Sequence, residues 1–144
     1  SVQPFFKQGQ LCLLQFCELT NHIAAGASFA TARDAAIAYC AQARAAGWRL
    51  AFHIPTPRVE KADAGYEASV SAWDAGELAI YTQACDYFRA HPEHYDFLID
   101  LSAVPELVDP HDTDFYLEDG VHCTAAGIAA KAATVAAATV GWGF

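Results

Sequence analysis

Short apolar runs that alternate with stretches of helical periodicity constrain this chain more than any other feature. Residues 11–17 (LCLLQFC) are an almost unbroken apolar run, as expected of a strand covered on both faces, and residues 48–54 (WRLAFHI) and 95–101 (YDFLIDL) read as a second and a third, short strand. Between the first two, residues 29–46 carry Ile37, Cys40, Ala41 and Ala45 at helical spacing and stop at Gly47, the residue that most readily ends a helix. Residues 71–90 place Trp73, Ile80, Ala84 and Tyr87 on one side, with Leu78, Tyr81, Cys85 and Phe88 beside them, which predicts a second, well-buried helix. A last helix runs from Ala125 to about Val140 behind Thr124 as N-cap, with Ile128, Ala132 and Val135 facing inward. Residues 18–28, 58–70 and 103–118 read as loops, and Pro55-Thr56-Pro57 turns the chain out of the second strand. Strand, helix, strand, helix, strand, loop, helix is the order of an α/β domain with a parallel sheet and right-handed crossovers. A single domain is expected over residues 1–144.

Composition removes several classes of function. The net charge of −9 leaves no basic stripe to neutralise phosphates, so nucleic acid is not an expected partner and a neutral or weakly charged substrate fits better. No segment approaches the roughly 18 uninterrupted apolar residues of a membrane span, and residues 1–10 have neither the basic start nor the apolar centre of a signal peptide. A soluble protein is expected. Cys12, Cys17, Cys40, Cys85 and Cys123 are odd in number, widely spaced and set among apolar neighbours, which suits buried reduced thiols, and hence the cytoplasm, better than a disulfide framework.

In open parallel sheets the reactive groups lie beyond the carboxyl ends of the strands. Here those ends lead into residues 18–28, 55–70 and 101–122, where Asp119 and His122 stand three apart just before a helix. A carboxylate that orients one ring nitrogen leaves the other free to take a proton from a nucleophile, the acid and base half of a hydrolytic triad. His53, inside an apolar strand, reads as a satisfied core residue. His91, His94 and His111, with Asp112 and Asp114, invite a metal reading, but the tight spacing of a zinc site is missing and neither metal nor organic cofactor is expected.

Two blocks carry a resemblance. Asp119-Gly120-Val121-His122-Cys123-Thr124-Ala125-Ala126-Gly127 resembles the last block of the SGNH, or GDSL, hydrolases, a D-x-x-H-P-[ST]-x-x-G pattern in which Cys123 replaces Pro. Glu18-Leu19-Thr20-Asn21-His22-Ile23 follows an apolar run as the family's G-x-N-D block does, with Leu19 for Gly and His22 for Asp; Pro55-Thr56-Pro57-Arg58 is a looser likeness. The resemblance implies a three-layer flavodoxin-like fold and an ester hydrolase acting on acyl or acetyl esters of lipids or carbohydrates. His122 would be the general base, Asp119 its orienting acid and Asn21 an oxyanion donor, while His22 would make a structural contact within its loop.

No serine has the family's G-D-S context. Ser28, Ser69, Ser71 and Ser102 lie elsewhere, and Ser1 has no strand before it. In a 2-1-3-4-5 order the three strands are numbers three to five, so the first would expose an apolar edge. An upstream segment or a second chain is therefore expected to supply the missing strands and the nucleophile. A second reading, a non-catalytic binding or structural module that kept a degenerate fold, predicts that Asp119 and His122 are not hydrogen-bonded and that no serine lies near His122, even with partner chains included.

Overall fold

The structure, a computed structural model, describes residues 13–16, 19–63, 65–66, 72–140 and 142. Its sheet comprises β1 (Leu13–Phe16), β2 (Arg49–Ile54) and β3 (Phe97–Asp100), all parallel in the order β1-β2-β3. Leu14 stands opposite Leu50, and His53 opposite Ile99. Around the sheet lie α1 (Leu19–Ala24), α2 (Phe29–Ala45), α3 (Ala75–Ala90) and α4 (Ala125–Thr139).

Alternation along the strands divides the core into two layers. Leu50, Phe52 and Ile54 point to one face, where they meet Leu19 and Ile23 of α1, Ala32, Ala36 and Cys40 of α2, and Tyr81, Ala84 and Phe88 of α3. The Phe52 ring stacks on Phe88 at 4.2 Å and lies 5.3 Å from Phe16. Ala51 and Ile99 point to the other face and pack with Leu101, Val135 and Ala138, so α4 covers that side. Helices on both faces of a parallel sheet make this an α/β fold, consistent with part of a flavodoxin-like domain.

Local signals explain most boundaries. The Ser28 hydroxyl caps α2 by accepting the Thr31 N–H at 3.2 Å, and Gly47, at φ +91°, takes the left-handed turn that ends it. A capping box starts α3: the Asp74 carboxylate accepts the Glu77 N–H, and the Glu77 carboxylate accepts the Asp74 N–H, both at 2.8 Å. That box places the helix start after Trp73, not at residue 71, which lies outside the described residues. Trp73 is instead buried in a parallel bridge with Glu60. The third strand is shorter than its apolar run, because Tyr95 turns its hydroxyl to the Phe88 carbonyl and Leu101 opens a 3-10 turn.

Two expectations are overturned. Residues 19–24 form a helix, not a loop, since Leu19 and Ile23, four apart, are both fully buried and anchor one face. On α4, Ile128 is 59% exposed and Ala132 is exposed too, with only Gly127 fully buried. Val135 alone of the three expected inward residues packs against the sheet. The face carrying Ile128 and Ala132 projects past the end of the sheet, where no described element covers it. Among the described residues β1 pairs only with β2, and Leu13 and Leu14, which pack on opposite faces of the sheet, remain partly exposed.

Candidate active site

The loop between Tyr116 and Thr124 is a closed structure built on backbone bonds. The Leu117 N–H donates to the His122 carbonyl at 2.8 Å, the Thr124 N–H to the Phe115 carbonyl at 3.0 Å, and Tyr116 and Cys123 form an antiparallel bridge. Gly120 sits at φ +61° against Val59, whose N–H donates to the Gly120 carbonyl at 3.1 Å. A Cβ at Gly120 would lie 2.1 Å from Val59 Cγ1, so glycine is required on two counts. Thr124 caps α4 by accepting the Gly127 N–H at 3.2 Å and donates its own hydroxyl to the Asp114 carbonyl at 2.7 Å. At Gly127 a Cβ would meet the Phe115 carbonyl oxygen at 2.1 Å, which explains the small residue one turn into this helix.

The loop brings Asp119 and His122 together. His122 Nδ1 lies 2.5 Å from Asp119 Oδ2, while Asp119 Oδ1 accepts the N–H groups of Val121 and His122, each at 2.9 Å. Burial raises the Asp119 carboxyl, but the His122 bond and the two backbone donors outweigh it and hold it below its ordinary value of 3.8. The carboxylate is thus ionised at neutral pH and fixes the orientation of the ring. With Nδ1 engaged, Nε2 is the nitrogen left for proton transfer, and the His122 side chain is 68% exposed.

His122 stands in the wall of a pocket of about 490 Å³ beyond the carboxyl ends of β2 and β3. Thr20 of α1, His53 at the end of β2, Pro55, Thr56 and Arg58 from the following turn, and Leu101 and Val121 complete one side. Ile128, Lys131, Ala132 and Val135 of α4 form the other. Lys131 donates to the buried Thr56 hydroxyl at 3.3 Å. Arg58 lies over the Trp73 ring at 5.3 Å; burial lowers its pKa, and Glu77 and Asp119 oppose that shift.

Asn21 falls beside this wall. It is exposed on α1 next to Thr20, but only Thr20 lines the pocket. His22 is exposed as well. His53 is buried as expected, yet it is not a satisfied core residue: its Nε2 has no hydrogen-bond partner among the described residues. Burial lowers its pKa. The residues that invited a metal reading separate. His111 pairs with Asp63 at 2.9 Å and Asp109 at 3.2 Å, whereas His91, Glu93 and His94 bring their ligand atoms within 4.8 Å of one another before β3, at the opposite end of that strand from the pocket. Those three residues could hold a divalent ion.

Sequence reasoning missed Lys131 and Thr56 as neighbours. The signal was present, since Lys131 is the only charged side chain in an otherwise alanine-rich helix. Cys40 and Cys85 are free and buried, with burial pushing both thiols up to about 11. Cys12 and Cys17 lie outside the described residues, and no described helix is long and apolar enough to cross a membrane. Compared with known proteins, the chain matches no family model and no curated protein.

Proposed function

We propose that this chain contributes the acid–base half of a serine ester hydrolase of the SGNH type. The bond between His122 Nδ1 and Asp119 Oδ2, made at the rim of a pocket, is the observation that carries the reading. In this account a serine hydroxyl attacks the ester carbonyl, His122 Nε2 accepts its proton, and the same nitrogen then protonates the leaving alcohol. Asp119 supports the imidazolium that forms between the two steps. Asn21, with backbone N–H groups, donates to the oxyanion, a contribution of about 2.7–4 kcal/mol for a donor of this kind. No metal or organic cofactor takes part, and acyl or acetyl esters of lipids or carbohydrates are the substrate class.

The nucleophile comes from an upstream segment or a second chain. The free side of β1 supports this, because a strand laid along it would bring its own carboxyl end to the same rim as Thr20 and His122. Unpaired, buried Cys40 and Cys85 support a reducing compartment such as the cytoplasm. The alternative, a non-catalytic module with a degenerate fold, predicts no bond between Asp119 and His122, and the observed contact favours the catalytic reading.

A fluorophosphonate ester tests the proposal directly, since it reacts with a serine activated by a neighbouring imidazole. The full-length protein should be labelled on one serine outside these 144 residues, and His122→Ala should not be labelled. Equal labelling of both proteins, or of neither, would reject the assignment.

A further inference from the structure

The pocket beside His122 is basic in a chain that is strongly acidic. Aspartate and glutamate number 17 against 8 lysines and arginines, yet no carboxylate lines this wall, which holds Arg58 and Lys131. Most other described cations have acidic partners: Arg33 pairs with Asp34, Arg44 and Arg49 with Asp96, Lys61 with Glu77, and Arg89 with Asp86 and Asp100, while Arg58 interacts with Glu77 and Asp119. Lys131 makes no ion pair among the described residues. It is half-buried and bonds the Thr56 hydroxyl, with Ile128, Ala132 and Val135 as its neighbours along the pocket side of α4.

Holding an ammonium group against apolar surface costs solvation that an opposite charge would offset. Among the described residues no carboxylate does so for this lysine, in a chain that holds 17 of them. The same wall contains His53, 6% exposed, whose Nε2 also lacks a partner among the described residues. Polar groups left uncompensated in one concave wall mark a place where a ligand supplies the partner.

We propose that the pocket selects esters bearing a carboxylate, held by Lys131 with Arg58 adding to the field, while the ester group lies at His122. This inference rests on the esterase reading for the reaction, but the anion subsite can be tested without it. The Arg58 guanidinium, flattened over Trp73 and balanced by Glu77 and Asp119, serves as a fixed background charge. Lys131, unmatched by any acid among the described residues, is the residue that discriminates.

Two measurements on the full-length protein test it. In the first, kcat/KM for monomethyl succinate is compared with that for methyl butyrate, a neutral ester of the same length. The wild type should prefer the anionic ester about tenfold or more, the size of one charge-assisted hydrogen bond. Lys131→Met and Lys131→Gln should abolish that ratio, Lys131→Arg should retain it, and added salt should reduce it. In the second, succinate and neutral succinamide are titrated while amide chemical shifts around the pocket are followed. Succinate alone should bind, and Lys131→Met should lose it. Succinate binding of this kind without ester hydrolysis would uphold the subsite and reject the esterase. Hydrolysis with no preference for the anionic ester, or a preference that survives both Lys131→Met and Lys131→Gln, would overturn the subsite alone, and absence of both succinate binding and preference would overturn it whatever the reaction.

Discussion

Three residues carry opposing demands that single substitutions can separate. Asp119 is stabilised as the anion by three donors, so its contribution to the loop is fully present above 3.8 and is lost as pH falls through its lower folded value. Asp119→Asn keeps the shape of the side chain but offers Nδ1 the wrong partner, and on the proposed esterase reading should lower kcat about 10⁴-fold with little change in KM. His53 behaves in the opposite sense. Its folded pKa lies below the ordinary 6.5, so folding stability is complete above that pH and falls below it, as the unfolded chain takes up the proton that the buried ring resists. The slope is at most about 1.4 kcal/mol per pH unit, and His53→Phe should flatten it in denaturation curves taken on either side of pH 6. Gly127→Ala drives a methyl into the Phe115 carbonyl. A loss of about 1–3 kcal/mol is expected by urea unfolding, the usual range for overpacking.

At the scale of elements, the sequence was legible wherever the deciding signal was local. Gly47 ended α2, Thr124 began α4, and the apolar run before Pro55 became β2, because caps and turn residues act within a few positions of themselves. Helix α1 was not legible, since six residues held by Leu19 and Ile23 give no periodicity to read before the sheet is in place. The start of α3 was misjudged because Trp73 looks like the first apolar residue of a helix, while Asp74 and Glu77 contain the stronger instruction. Asp74→Ala removes one side of that box and should cost about 1 kcal/mol, seen as a lower unfolding midpoint with unchanged m-value. The candidate site was half legible: Asp119 and His122 are neighbours in sequence and meet, whereas Lys131 and Thr56 are 75 positions apart and meet only because α4 lies across the end of β2.

Across the whole molecule, side chains of α4 were placed wrongly because their surroundings are set by distant parts of the chain. Ile128 and Ala132 were expected inside, and periodicity alone supports that, but they are exposed and line the pocket instead of packing on the sheet. Net charge misleads in a similar way, because a total of −9 says nothing of a wall where, among the described residues, the formal charges are those of Arg58 and Lys131. Open strand edges are normally paired or covered. If an additional strand, from an upstream segment or a second chain, lies along β1, the β1 amides that face away from β2 should exchange with solvent far more slowly in that assembly than in the 144 residues alone. Equal exchange rates would show that this edge stays open.

Hydrolysis of p-nitrophenyl acetate by the full-length protein, wild type against His122→Ala, reaches the central claim most directly. Turnover in the wild type and a fall of at least about 10³-fold in the variant are expected for a general base that activates a nucleophile. Full activity in His122→Ala would contradict the account.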